Sequence, residues 1–307
     1  MANSNLYLFG IGSDGEPAEL PVPAEAATVH DALAGLPAGV YSTIRTFGGN
    51  RFLGLGAHVD RLESSMRGIG IADPLDREAL LTVLDGVATR ASAASGGGDS
   101  VIRFDALSEC VPMGKGEGRL LLAAGPLLGV PEAAKRHGVR VETTAQLHRD
   151  DPLVKTTAFV AERGAVPVVA SDSYERILLD EHDRLLEGTS STFFAITTDG
   201  ELATAADGVL EGVTRRILLE RAAELGVPVR FERWPRADLG DLAGAFLCSS
   251  SRGVVPIVAI DGEPVADGSV HPLTRKLSDD YDAWSVASAE SALDVLRSMS
   301  TDDPSGG

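Results

Sequence analysis

Cysteine is scarce in this chain: two in 307 residues, Cys110 and Cys248. They have no metal-type spacing, so a reduced, cytoplasmic protein without a bound metal is the expectation. Long apolar runs are also missing. No stretch approaches the roughly 18 residues needed to cross a bilayer, so no membrane partner is expected. The opening MANSNLYLFGIGSDG has no basic segment followed by an apolar run and does not read as a signal peptide. Positive charge is in deficit, with 27 Lys and Arg against 45 Asp and Glu, a net −18. Such a surface repels phosphate backbones and argues against nucleic acid as a partner. An anionic substrate would have to be met by locally placed arginines. No internal repeat is present.

What remains is ordinary for a globular protein: 44% hydrophobic and 23% charged residues, with length for two domains. Val40 to Phe47 (VYSTIRTF) is β-branched and aromatic and reads as a strand. Gly48-Gly49-Asn50 turns it into a second strand over Phe52 to Leu55. Helices are expected over 58–68 and 76–93, with a flexible Ala/Ser/Gly loop at 91–100. Strands follow at 101–104 and 119–123, then PLLGVP as a linker. Beyond it we expect strands at 139–143, 176–179, 192–197, 201–204, 227–230, 245–248 and 254–260. Helices are expected from the Lys155 region through Val169, over 212–226 and over 273–284. This mixture predicts an α+β fold with a small N-terminal domain (1–125), a linker (126–136), a larger domain (137–298) and a frayed tail (299–307).

Several residues carry chemical potential. Lys155 sits in LVKTTAF, where apolar neighbours could desolvate it and make it a Schiff-base former. Read alone, it is equally an exposed lysine at a helix start. Glu187, ahead of a Gly/Ser/Thr turn, could make turn hydrogen bonds or face a cationic ring nitrogen. Gly212-Val213-Thr214-Arg215 opens an amphipathic helix whose free N–H groups suit an anion, or form an ordinary N-terminus. Ser249-Ser250-Ser251 is a hydroxyl cluster or a solvated loop. Arg61 flanks an apolar helix face. The period of two sets Tyr41, Thr43 and Arg45 on one face of their strand, and Arg103 lies inside an apolar strand. A buried arginine implies either a paired charge or a bound carboxylate.

The order of these stretches resembles the fold-type IV pyridoxal-phosphate enzymes: branched-chain and D-amino-acid aminotransferases, R-selective amine transaminases and aminodeoxychorismate lyases. The resemblance covers Gly39 to Tyr281 through GVYSTIRTF, HVDRLESS, LVKTT, LLEGTSSTFF, GVLEGVTRR and FLCSSSRGVVPIVAIDG. It implies a two-domain fold with a β-barrel-like core in the larger domain, a homodimer, and pyridoxal 5'-phosphate as cofactor. It implies that Lys155 forms an aldimine with the cofactor and moves protons, and that Glu187 pairs with the ring nitrogen. Arg61, the Val213 and Thr214 N–H groups, the Thr214 hydroxyl and Ser250 would hold the phosphate, and Leu210 would pack on the ring. Tyr41, Thr43, Arg45 and Arg103 would line the substrate side. The implied function is amino-group transfer between an amino acid or amine and a 2-keto acid. The alternatives are a lyase of the aminodeoxychorismate type, or a catalytically silent binding protein.

The chain departs from the branches in places. Phe159-Val160 stands where branched-chain members carry a tyrosine, and Ser42 where D-amino-acid members carry a glutamate. The Arg-Gly and histidine carboxylate trap of the latter is replaced by RFDALS, and the first 38 residues match poorly. The 32 residues from Lys155 to Glu187 suit the D-amino-acid branch.

Overall fold

In the computed structural model of the protein, residues 5–114 and 116–301 are described. The first half carries strands β1 (Tyr7–Ile11), β2 (Pro17–Glu19), β3 (Gly39–Phe47) and β4 (Arg51–Phe52), then helices α1 (Leu55–Gly68) and α2 (Arg77–Ala94). The hairpin β5 (Ser100–Met113) and β6 (Gly116–Pro126) leads to α3 (Glu132–His137), β7 (Val139–Thr144) and α4 (Thr157–Ala165). Next come β8 (Ser173–Leu179), β9 (Leu185–Gly188), β10 (Thr192–Thr197), β11 (Leu202–Thr204), α5 (Val213–Glu224) and β12 (Val229–Phe231). The chain closes with β13 (Leu242–Ser249), β14 (Gly253–Ile260), β15 (Glu263–Pro264), α6 (Pro272–Ser288), β16 (Glu290–Ser291) and α7 (Ala292–Thr301). These elements form two compact units. One takes the chain through Leu128, Val154–Ala158 and everything from Ser285; the other takes Gly129–Leu153 and Phe159–Trp284.

In the first unit the described strands form a sheet in the order β16-β4-β3-β5-β6-β1-β2. Alternation sorts its side chains. Val40 and Ile44 on β3, with Ile102, Phe104 and Leu122, pack against Val59, Leu62 and Met66 of α1 and Leu80, Leu84 and Val87 of α2. The opposite face carries Leu8, Leu121 and Ala123, covered by Val29, Ala32 and Leu33. Asp76 caps α2 by accepting the Ala79 N–H at 2.9 Å, a bond worth about 1 kcal/mol.

In the second unit the sheet order is β12-β11-β10-β13-β14-β7-β8-β9, with β15 beside β14. The β7–β8 pair is parallel, so the chain must cross over between them, and α4 lies in that crossover. β9 turns straight into β10, with a bridge between Gly188 and Ser191, so the sheet curls back on itself around Val141, Ile177, Phe193, Leu247 and Ile257. Asp261 and Gly262, both with positive φ, make the tight turn from β14 to β15.

The α+β, two-unit fold agrees with the sequence reading; several boundaries do not. Leu53-Gly54 is a bend rather than strand, and Leu55 already begins α1. The stretch expected as a 91–100 loop is helix to Ala94, a turn at Gly96-Gly97 with positive φ, and strand from Ser100. The helix after Lys155 stops at Ala165, not Val169, because Pro167 removes a donor and disfavours helix in the residue before it. α7 runs to Thr301 through the start of the segment expected to be frayed, and the rest of that tail lies outside the described residues. No described helix is long and apolar enough to cross a membrane.

Candidate active site

Lys155 belongs to the first unit although its neighbours in sequence belong to the second. Its segment is docked on β3 and α1 by backbone bonds. The Tyr41 N–H donates to the Lys155 carbonyl (3.0 Å), Gly39 N–H to the Thr157 hydroxyl (2.9 Å), and Lys155 N–H to Ser65 Oγ (3.3 Å). Val154 is buried against Gly68 of α1, where a Cβ would come within 2.6 Å of its Cγ2. The side chain is half-buried, with Nζ 4.7 Å from the Tyr41 ring centroid. This is a fixed, partly desolvated amine, not a loose surface lysine.

The Arg103 guanidinium lies 4.4 Å from the centroid of the same Tyr41 ring. Pairing explains why: Tyr41 stands opposite Asp105 and Thr43 opposite Arg103 across β3 and β5. Arg103 Nε and Nη2 donate to both Asp105 oxygens at 2.8 and 2.6 Å, and Nη1 lies 2.8 Å from His30 Nδ1. Arginine only donates, so His30 Nδ1 accepts in this contact. Both side chains are nearly sealed, 5% and 3% exposed. Burial pushes the Asp105 carboxyl up against the pull of Arg103. Arg45 is paired in turn, Nη2 to Asp99 Oδ2 at 3.1 Å, and lies over Phe47. Both arginines read as candidate carboxylate holders are therefore already engaged by aspartates. Between them Thr43 Oγ1 is buried with no hydrogen-bond partner among the described residues.

On the other face of β3, Ser42 Oγ lies 2.8 Å from His58 Nδ1, and both residues are fully buried. Arg61, one helical turn beyond His58, turns inward: its Nη2 donates to Ser42 Oγ at 3.0 Å and lies 3.3 Å from His58 Nδ1.

The second unit holds the other candidates. Glu187 on β9 is buried. Its Oε1 accepts from Arg149 Nε at 2.7 Å and its Oε2 from the Leu210 N–H at 3.3 Å. Arg149, itself buried, lies 3.9 Å from the Phe159 ring centroid. Val213 and Thr214 begin α5, whose first turn contains no acid. Thr214 Oγ1 and Ser250 Oγ lie 3.1 Å apart.

This donor set suits a phosphorylated pyridine aldehyde. The first N–H groups of α5 have no intrahelical acceptor, and with two neighbouring hydroxyls and no acid within the first turn they suit a phosphate. A buried carboxylate suits a protonated ring nitrogen, and a fixed amine suits an aldehyde carbon. Sequence reasoning missed Arg149, Ser42 and His58. The i, i+3 spacing of His58 and Arg61 on one helix face was an available signal. Arg149, in a loop 38 residues from Glu187, offered none.

The two-unit α+β fold and the chemistry of these side chains are those of an enzyme, and comparison with known proteins gives its class. Residues 39–260 match the family model Amino-transferase class IV, and the chain belongs to that family. It is a pyridoxal-phosphate-dependent aminotransferase. A curated relative, the D-alanine aminotransferase of Listeria innocua serovar 6a, is 27% identical over 253 residues, covering 78% of this chain and 84% of the relative. Among solved structures, the fold is similar to the branched-chain aminotransferase of the thermophilic archaeon Thermoproteus uzoniensis with norvaline. That match has a TM-score of 0.69 at 23% identity, covering 92% of this chain and 95% of that one. A hypothetical aminotransferase from Mycobacterium tuberculosis in its PLP-bound form matches with a TM-score of 0.73 at 21% identity, covering 92% and 99%.

Proposed function

We propose that this aminotransferase takes its amino group from a small D-amino acid and passes it to a 2-keto acid, with Lys155 as the residue that carries the cofactor and moves the protons. The observation that carries the proposal is the Lys155 segment, held by one backbone–backbone hydrogen bond and two backbone bonds to hydroxyls, with the lysine amine lying over the Tyr41 ring. The D-configuration is supported by relatives named D-alanine aminotransferase. The 32 residues from Lys155 to Glu187 also suit the D-amino-acid branch, whereas Ser42 and RFDALS depart from it.

The cofactor supplies the electron sink for the carbanion at the substrate Cα. The chain supplies position and charge. Lys155 Nζ would take the proton from the substrate Cα and hold it for return. Glu187 would face the ring nitrogen, and its two oxygens are held in place by Arg149 Nε and the Leu210 N–H. Ser250, Thr214 and the N–H groups of Val213 and Thr214 would hold the phosphate, with Arg61 adding positive charge, and Leu210 would pack on the ring. Tyr41 and Thr43 line the substrate side. Arg45 and Arg103 flank it as closed ion pairs, so a bidentate grip on a substrate carboxylate by either one requires its aspartate to let go. The resemblance to fold-type IV enzymes supports a cytoplasmic homodimer acting on small molecules, and the −18 charge argues against nucleic acid as a partner.

The test is a half-reaction screen of the holoenzyme with D-alanine, L-leucine and an R-amine, following loss of the visible absorbance of the lysine-linked cofactor. D-alanine should bleach it fastest, and a keto acid should restore it. Lys155→Ala should abolish both the absorbance and turnover. Bleaching by no donor, with pyruvate released from aminodeoxychorismate, would make the protein a lyase instead.

A further inference from the structure

Arg252 and Glu175 form a partly buried ion pair, with side chains 20% and 4% exposed, that the reaction just described does not use. Glu175 lies on β8 and Arg252 in the turn from β13 to β14. Arg252 Nη1 donates to Glu175 Oε2 at 2.7 Å, with the Glu175 side chain 4% exposed. Burial pushes the Glu175 carboxyl up, yet the Arg252 charge and hydrogen bonds from Arg252 and Ser190 hold it below its usual value.

The remaining donors and acceptors of the pair reach two different turns. Arg252 Nη2 donates to the Ser190 carbonyl (3.1 Å) and hydroxyl (2.9 Å), and its Nε to Ser249 Oγ (2.9 Å). Glu175 Oε1 accepts the Ser190 N–H (2.5 Å) and hydroxyl (2.9 Å). The Arg252 N–H closes its own turn on the Ser249 carbonyl (3.2 Å). Register explains why one guanidinium spans both turns: Thr192 pairs with Cys248, so residues 188–191 and 249–252 leave the same end of β10 and β13 side by side. Packing is tight there, since a Cβ on Gly188 would come within 2.8 Å of Glu175 Oε1.

Each turn adjoins one end of the proposed cofactor site. Glu187, the partner of the ring nitrogen, immediately precedes the first turn. Ser250, 3.1 Å from Thr214, lies inside the second. A buried ion pair adds little net stability, but it fixes a geometry well. We infer that Arg252, held by Glu175, is a positioning residue that couples the ring-nitrogen end of the site to its phosphate end. The inference rests on the assignment of Glu187 and Ser250 to the cofactor.

The experiment compares wild type with Arg252→Met and the milder Ser190→Ala. It measures dissociation constants for pyridoxal 5'-phosphate and for unphosphorylated pyridoxal, the pH dependence of the bound-cofactor spectrum, and the unfolding temperature of the cofactor-free protein. Coupling predicts that Arg252→Met weakens pyridoxal phosphate by about tenfold or more, the loss expected from removing charge-assisted hydrogen bonds. The preference over pyridoxal should shrink, and the spectral titration should shift. Ser190→Ala should move both readouts in the same direction by less. A fall in unfolding temperature with preference and spectrum unchanged, or a change at one end alone, overturns the coupling. If wild-type protein takes up the cofactor no differently from Lys155→Ala, the site assignment fails instead.

Discussion

Asp105→Ala would leave the Arg103 guanidinium sealed in the first unit with its charge uncompensated. The wild-type pair has two charge-assisted bonds, 2.8 and 2.6 Å, between side chains 5% and 3% exposed. Removing one partner of such a pair costs about 3–5 kcal/mol. At about 2–4 °C per kcal/mol for a domain of roughly 150–250 residues, unfolding should fall by roughly 6–20 °C. Arg103→Met should cost less, because burial already pushes the Asp105 carboxyl up and the orphaned acid can take a proton. The double change Arg103→Met/Asp105→Ala removes both charges and should recover much of the loss. Thermal and urea unfolding of the four proteins then gives a coupling of about 2 kcal/mol or more. A cost below about 1 kcal/mol for Asp105→Ala, or a double variant as unstable as the sum of the singles, would refute the reasoning. Turnover adds a second test. If the double variant regains stability but its KM rises steeply for every donor with a carboxylate, Arg103 contacts the substrate and the closed ion pair is not its role.

Glu187→Gln keeps the shape but removes the charge opposite the ring nitrogen, and kcat should fall by about a hundredfold in steady-state assays. In the cysteine pair, Cys110 is exposed and should react at once with a thiol reagent. Burial holds the Cys248 thiol up at about 12, so it should react only after unfolding; two fast thiols in the native protein would contradict this. Asp180 titrates at about 2: burial raises it, but the N–H groups of Arg184 and His182 and the side chains of Arg233 and Arg184 outweigh that. Its folded value lies below the ordinary 3.8, so its contribution of about 2 kcal/mol is present above pH 3.8 and fades as pH falls toward 2. Asp180→Asn should flatten that part of an acid-unfolding curve.

Much of the fold was legible because periodicity is a local property. The alternation in VYSTIRTF assigned Tyr41, Thr43 and Arg45 to one face, and the structure keeps them there. Short elements such as β1, β2, β9 and β16 carry too few residues for a pattern, and the late helix α7 escaped notice as well. The site was legible in its motifs but not in its charge pairing. Arg45 and Arg103 were read as substrate-side residues, with a paired charge the other reading of Arg103, and only strand register and loop closure bring Asp99 and Asp105 to them. The same holds for Arg149 beside Glu187 and for Glu175 beside Arg252, pairs 38 and 77 residues apart. Lys155 is the reverse case. Its local sequence was ambiguous, and backbone bonds to Tyr41 and Ser65 give it a fixed setting.

The division of the chain also orders its birth. The first unit begins at the N-terminus, yet it takes its lysine from Val154–Ala158 and its last helix from residues beyond Ser285. Ala292 and Val295 of that helix are buried in the same core as α1 and α2. A nascent chain that has reached Leu128 already holds most of that sheet but lacks the segment bonded to Tyr41 and the helix that completes the core. Domains usually fold in the order they are synthesised. Here the unit that starts first is finished last, so a released chain ending at residue 284 should have a second unit that resists protease and a first unit that is still cut.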